Sequence, residues 1–139
     1  MTEYAYTAFD AFCAENRRGF TAHTVHQFGL AVILTLRDRA PAIATEFALK
    51  RQQQIAANTD EREILSWRLA CWALVRYSEP EADPNVAFVR AVLCFLYPMA
   101  DSLEHPGMLL DDFTMFMEMA GDFEPVMMAH RHLLLPAVS

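Results

Sequence analysis

The sequence predicts an all-α protein, a single compact bundle of six or seven helices that spans residues 1–139 as one domain. Apolar residues recur with helical spacing in every segment, and no stretch alternates as a half-buried strand does. No Asn-Gly or Asp-Gly hairpin signal occurs. Because the composition is 54% hydrophobic with only four glycines, a chain of this length can bury a core without a metal or a disulfide.

The first three helices are predicted between the amino terminus and the polar stretch that follows Lys50. A first helix covers about Glu3 to Asn16, with Tyr4 on its apolar face. Thr21 can cap a second helix that continues to about Arg39. Pro41 fits the first turn of a third helix, because a proline nitrogen has no hydrogen to leave unpaired there.

The fourth and fifth helices are predicted from capping signals. Asp60 followed by Glu63 resembles a capping box, which starts a fourth helix from about Glu61 to Tyr77. The segment Ser78–Pro84 has two prolines and three acids and therefore predicts a loop. Its last two residues, Asp83 and Pro84, form an N-cap and a first helical position, and a fifth helix runs from there to about Tyr97.

Two further helices complete the bundle. His105-Pro106-Gly107 precedes a sixth helix from about Met108 to Ala120, and Gly121 stops it. Pro125 starts a short last helix. Nearly all-round apolar character predicts that three helices are the most buried. These are the helices near Ala22–Arg39, Glu61–Tyr77 and Pro84–Tyr97.

One charge interrupts the apolar fifth helix. Arg90 lies in its middle, and a buried unpaired charge costs several kcal/mol, roughly 3 to 5. We therefore expect its side chain to reach solvent or a carboxylate.

Methionines and acids are concentrated in the second half of the chain. Seven of the eight methionines lie between Met99 and Met128, and residues 70–139 contain ten acids against three arginines. Methionine adapts to irregular partner surfaces, and acids attract a basic protein. The pattern therefore predicts a non-catalytic interaction module, an acidic adaptor or an immunity-type inhibitor of a basic partner. Its predicted partner-binding residues are Glu104, Met108, Asp111, Asp112, Met115, Glu118, Met119 and Asp122. The alternative is that these methionines are ordinary residues of the hydrophobic core and that the acids form a solvent-exposed face.

Two further kinds of binding follow from the excess of apolar faces. Exposed apolar helix surface predicts a helix-mediated homodimer. A small-molecule-binding domain with an apolar cavity is the main alternative to the protein-interaction module. Five aromatic residues are the candidates for lining such a cavity: Trp67, Trp72, Phe95, Tyr97 and Phe116.

The charge balance and the cysteines exclude other classes. A net charge of −7 and the lack of a basic cluster argue against nucleic-acid binding. No apolar run reaches the roughly 18 residues of a membrane span, and no signal peptide is visible, so we expect no membrane partner. Cys13, Cys71 and Cys94 lie apart in apolar patterns, which predicts free thiols in the cytoplasm.

No catalytic, metal or cofactor motif predicts a specific chemistry, and we expect no enzyme, metal or cofactor. His23 and His26 share a helical face but make only a pair. Asp101, Glu104 and His105, with Asp111 or Asp112, form the closest cluster of hard ligands, although acids beside a Pro-Gly turn usually cap helices or face solvent.

A ribonuclease is the most remote alternative. Arg18 and His23 have an Arg-x4-His spacing that is similar to that of HEPN-type helical nucleases. The resemblance covers six residues and implies that this arginine and histidine would be catalytic. The polar residue that the family has beside the arginine is a glycine here, Gly19.

Overall fold

The computed structural model describes residues 7–136 and is an all-α bundle of seven helices, as the sequence predicted. No strand occurs in this part of the chain. Glu3 and Tyr4 of the predicted first helix lie outside the described residues. The helices are α1 Ala8–Asn16, α2 Ala22–Thr35, α3 Ala42–Ala57, α4 Ile64–Val75, α5 Pro84–Leu93, α6 Pro106–Ala120 and α7 Glu124–His130. Short 3₁₀ turns cover Arg17–Gly19, Met99–Ser102 and Arg131–Leu134.

Two predicted caps are present. The Thr21 hydroxyl accepts a hydrogen bond from the Thr24 backbone N–H at 3.1 Å, and the Thr24 hydroxyl accepts one from the Thr21 N–H at 3.0 Å. The Asp83 carboxylate accepts the Asn85 N–H at 2.9 Å, and Pro84 is the first residue of α5. Each cap satisfies an N–H that has no partner within its helix.

The predicted start of α4 is wrong. The Asp60 carboxylate binds the backbone N–H and the guanidinium of Arg62, at 2.7 and 2.9 Å, instead of capping a helix. The helix begins only at Ile64, and Glu63 provides no side-chain cap. An arginine two residues on competes for the carboxylate that a capping box requires. The fifth helix is also shorter than predicted, because it ends at Leu93 and not near Tyr97.

The core is built from α2, α5 and α6. Helix α5 packs most extensively on α6, and α2 packs on α3, α5, α6 and α7. At the centre, the Phe113 ring meets the rings of Phe28 and Phe95 at centroid distances of 6.0 and 5.2 Å. All three side chains are buried. The predictions of a buried second and a buried fifth helix are therefore confirmed.

The prediction that the fourth helix is among the most buried is wrong. Only Ile64, Cys71 and Val75 of α4 are buried, whereas Leu65 and Leu69 are 49% and 57% exposed. Helix α4 packs chiefly on α5 and α3, so it lies at the edge of the bundle. The sixth helix takes the central position instead. Apolar residues all round a helix therefore do not show by themselves that neighbours cover it.

A buried arginine ties the turn before α4 to the end of α5. The Arg51 side chain has no exposed surface, donates to the backbone carbonyls of Phe95 and Tyr97 at 2.8 and 3.1 Å, and pairs with Glu61 at 2.9 Å. It also donates to the side chain of Gln54. The same Glu61 carboxylate accepts the Met99 backbone N–H at 3.0 Å. This network fixes the chain segment that forms one wall of the pocket described next.

Candidate functional site

A pocket of about 450 Å³ opens beside α5 and α6. Helix α4 contributes one wall, and the 3₁₀ turn Met99–Ser102 contributes another. Its volume is within the range of small-molecule sites, which is roughly 300 to 1,000 Å³. The lining residues are His26, Trp72, Arg90, Leu93, Cys94, Tyr97, Asp101, Ser102, His105, Met108, Leu109, Asp112 and Phe116. We call this space the α5–α6 pocket.

Arg90 lies between two aromatic rings of the pocket. Its guanidinium carbon is 4.8 Å from the Trp72 ring centroid and 4.9 Å from the Phe116 ring centroid. Both distances are within the range of cation–π attraction. Among residues 7–136 it has no carboxylate within 4.0 Å, and its side chain is partly exposed, so of the two expected surroundings, solvent or a carboxylate, it reaches solvent. The half-buried charge is also held by ring faces.

His26 supplies a second polar group to the pocket. Its side chain is buried with 1% exposure, and its ring meets the Phe95 ring edge-on at a centroid distance of 5.1 Å. The Nδ1 atom is 2.7 Å from the Ala22 carbonyl oxygen, which can only accept a hydrogen bond, so Nδ1 carries the proton. Burial lowers the pKa of His26 to about 4. The ring is therefore neutral near pH 7, and Nε2 is an acceptor.

The remaining polar groups lie around these two. Asp101 and Asp112 are exposed at the rim, and the Trp72 Nε1–H donates to the Tyr97 hydroxyl at 3.3 Å. Burial raises the pKa of the Cys94 thiol to about 12, and the carboxylate of Asp112 adds to the rise. A thiol with this pKa stays protonated and is a poor nucleophile. The pocket therefore offers charge, hydrogen bonds and apolar walls without an activated nucleophile.

Three of the five aromatic residues predicted to line a cavity meet at this pocket: Trp72, Tyr97 and Phe116. The other two have structural roles. Trp67 stacks on Phe47 at a centroid distance of 6.2 Å, and Phe95 is fully buried in the core.

Six of the eight predicted partner-binding residues share the outer face of α6. At 100° per residue they fall within one third of the helix circumference, and Met108 and Met115 are 59% and 42% exposed. Met119 is half-buried against the core. We call this set the methionine face: Met108, Asp111, Asp112, Met115, Glu118 and Met119. The other two predicted residues, Glu104 and Asp122, are exposed just before and just after the helix.

Not every acid on the methionine face is available to a partner. Asp111 already forms a two-point ion pair with Arg17, with N–O distances of 2.9 and 3.0 Å. Burial, with a contribution from Asp10, raises the pKa of Glu118 above its ordinary value. Asp112 also lines the α5–α6 pocket, so the face and the pocket share one residue.

The candidate metal and nuclease residues do not assemble into sites. Among residues 7–136, no group of three or more His, Cys, Asp or Glu side chains is placed to hold a metal ion. His23 is exposed at the start of α2, whereas His26 is buried. Arg18 is exposed in the 3₁₀ turn Arg17–Gly19, and the surface pocket that His23 lines does not include it.

The sequence analysis named Arg90 and His26 but did not assign either residue to a binding pocket. Arg90 was expected to leave the apolar interior, and His26 was considered only as a partner of His23. The signal that could have identified Arg90 as a binding residue was its position as a charged residue within a helix that is apolar on all sides. Nothing in the sequence indicated that Nε2 of His26 would be left without a partner, because that depends on the neighbouring helices.

Comparisons of the chain with known protein-family models, with curated proteins and with solved structures find no significant match. No helix in the described residues combines the length and apolarity needed to cross a bilayer.

Proposed function

We propose that this protein is a small-molecule-binding helical domain whose binding site is the α5–α6 pocket. The observation that carries the proposal is the coexistence of apolar walls with two polar groups that are at least half-buried and have no hydrogen-bond or ion-pair partner in the described chain, Arg90 and Nε2 of His26. Binding sites usually combine a mostly apolar lining with a few polar groups that orient the ligand.

The rings around Arg90 support this function further. A charge between Trp72 and Phe116 is partly removed from water, which strengthens its attraction to a ligand of opposite charge. The buried network of Arg51 and Glu61 holds the neighbouring chain segment in one arrangement. A site that is already formed loses less entropy when the ligand binds.

Filling the pocket tests the proposal. Ser102 lines it and donates its hydroxyl to the carbonyl three residues earlier, at 3.3 Å. Ser66 on α4 makes the same kind of bond at 2.8 Å outside the pocket, so it is a matched control. A thermal-shift screen of small organic molecules should give hits for the natural chain and for Ser66→Phe. The same hits should be lost with Ser102→Phe. Equal binding to both variants would place the ligand elsewhere.

The protein-interaction module is our second candidate function. It is favoured by the methionine face, where exposed methionines lie between Asp112 on one side and Glu118 on the other. A basic amphipathic helix suits this arrangement, because its apolar stripe would meet the methionines while its lysines approach the acids. The free thiols are consistent with the cytoplasm as the proposed location.

A designed helical peptide of leucine and lysine tests the second candidate. Replacing Asp112 and Glu118 by their amides should slow association and flatten its salt dependence, because these acids attract the peptide before contact. Replacing Met108 and Met115 by alanine should speed dissociation. The matched control is Glu15→Gln with Asp38→Asn, two exposed acids elsewhere. A control with the same effect would show only a general charge attraction.

A further inference from the structure

The chemistry of the α5–α6 pocket points to one class of ligand, an inference that rests on the proposed small-molecule function. Two groups in the pocket that are at least half-buried have unused hydrogen-bonding capacity and opposite requirements. Arg90 can only donate, and Nε2 of His26, with the proton on Nδ1, can only accept. A ligand that satisfies both needs an acceptor at one end and a donor at the other.

Arg90 selects an anion. Trp72 and Phe116 contact its guanidinium through their rings, and no hydrogen bond or ion pair to the described chain uses its N–H groups. The planar N–H fork of an arginine matches the two oxygens of a carboxylate. The contrast with Arg51 is informative, since that buried guanidinium is already paired with Glu61 and bound to two carbonyls. Arg90 is the pocket cation that keeps its donors for a ligand.

His26 selects a hydroxyl. Its side chain is 1% exposed and lines the pocket. Its Nδ1–H donates to the Ala22 carbonyl, which leaves Nε2 for a ligand. No hydrogen bond within the described chain uses Nε2, so this acceptor is available to a ligand. A hydroxyl group of the ligand would donate a hydrogen bond to it.

The rim acids do not turn the pocket into an amine site. An ammonium ligand would seek the ring faces as well as Asp101 and Asp112. Those faces already have cationic neighbours, since Arg90 lies between Trp72 and Phe116, and Arg68 lies 4.4 Å from the Tyr97 ring centroid. A further cation would be repelled by both arginines. Asp101 and Asp112 are exposed, so water screens their effect on an anion.

We propose that the α5–α6 pocket binds a small organic acid with an apolar ring body and a hydroxyl group. Its carboxylate would bind the guanidinium of Arg90, and its hydroxyl would donate to Nε2 of His26. The ring body would lie against Leu93, Leu109 and Met108, which are the aliphatic part of the lining.

Isothermal titration with a matched set of probes tests this assignment. The set comprises the isomeric hydroxynaphthoates, naphthoate without the hydroxyl, naphthol without the carboxylate, and naphthylmethylamine with the opposite charge. We expect the best hydroxynaphthoate isomer to bind most tightly. Naphthoate should lose about 3- to 10-fold, the range for one neutral hydrogen bond. Naphthol should lose about 10-fold or more, because a charged hydrogen-bond pair is stronger.

Two variants assign each loss to its residue. Arg90→Met should remove the advantage of the acid over naphthol, and Arg76→Met is the matched control, because that arginine lies over the Tyr77 ring outside the pocket. His26→Leu should remove the advantage of hydroxynaphthoate over naphthoate while leaving that of naphthoate over naphthol. Thermal melting of each variant establishes that it is folded under the titration conditions.

The outcomes separate this inference from the proposed function. If naphthol or the amine binds in a manner that Ser102→Phe abolishes, while the acids do not bind better, the pocket is a site and the organic-acid assignment is wrong. If the acids bind equally to Arg90→Met, Arg90 is not the anchor and the assignment is also wrong. If no naphthyl probe binds, the organic-acid assignment is wrong, whereas the pocket proposal is overturned only if the thermal-shift screen also gives no hit that Ser102→Phe abolishes.

Discussion

The ring of Phe95, two residues after the end of α5, lies directly against Gly29 of α2. A β-carbon placed on Gly29 would be 2.0 Å from Cζ of Phe95 and 2.2 Å from Cε2. No two carbon atoms approach this closely without a bond, so the absence of a side chain at Gly29 is what allows the contact. The position of Phe95 matters because its carbonyl binds Arg51 and its ring contacts His26.

Gly29→Ala should therefore destabilise the protein by about 3 kcal/mol, because the core has to shift to accept one methyl group. Urea denaturation measures the change. Gly19→Ala is the control, since its added methyl would meet only Pro136, at 3.8 Å, and should change stability by less than about 1 kcal/mol. Phe95→Leu should partly rescue Gly29→Ala, because the two residues are in contact. Simple additivity of the two losses would contradict the steric explanation.

Glu61→Gln should destabilise the protein by about 2 to 4 kcal/mol. The substitution leaves the buried charge of Arg51 with a neutral partner. The loss of stability is moderated because the Glu61 side chain is about one-third exposed to water. Glu46→Gln removes an exposed ion pair with Lys50 and should cost less than about 0.5 kcal/mol. Equal effects of the two changes in chemical denaturation would show that water reaches Arg51.

His26 predicts a loss of stability in mild acid. Burial lowers the pKa of His26 from the ordinary 6.5 to about 4. Between pH 6.5 and about pH 4, the unfolded chain therefore binds a proton at this residue and the folded chain does not. Stability should fall as pH falls through this window, by about 2 kcal/mol between about pH 7 and about pH 5. His26→Leu should remove this part of the pH dependence, measured by urea denaturation at both pH values. His23→Leu, a change at an exposed histidine on the same helix, should retain it.

Neighbouring methionines of α6 should respond differently to truncation. Met117 is fully buried, and its replacement by alanine should cost about 2 to 5 kcal/mol. Met115 is 42% exposed, and its replacement by alanine should cost less than about 1 kcal/mol. Denaturation midpoints of the two variants provide the comparison. A large loss at Met115 would mean that the methionine face is structural and would weaken the second candidate function.

The exposed side of α4 carries the homodimer prediction. Leu65, Leu69 and Ala73 follow one another at intervals of four residues, and all three are exposed. An uncharged helix stripe of this kind usually marks an interface, and a twofold axis would pair it with itself. We expect sedimentation to detect a dimer that Leu69→Lys dissociates. Leu103→Lys, a change at an equally exposed leucine outside α4, should leave the dimer intact. A monomer at every concentration would show that the prediction is wrong.

Local signals in the sequence determined the helical class, most helix boundaries and two caps. Thr21 and Asp83 act through hydrogen bonds to residues two or three positions away, so the local sequence is enough to identify them. The outer face of α6 could also be predicted, because helical periodicity alone places Met108 and Met115 on one side. Asp60 was misinterpreted at the same local level, where Arg62 competed for its carboxylate.

Only the tertiary structure decided which apolar faces are covered and where polar groups meet. Leu69 and Phe113 are equally apolar in the sequence, yet one is exposed and the other is fully buried. Arg90 lies between Trp72 and Phe116, which belong to different helices, and His26 reaches the same pocket from a third. Helical periodicity determines which side of a helix a side chain points to, but it does not show which helix, if any, packs against that side. Residues from four helices form a pocket only when those helices pack together.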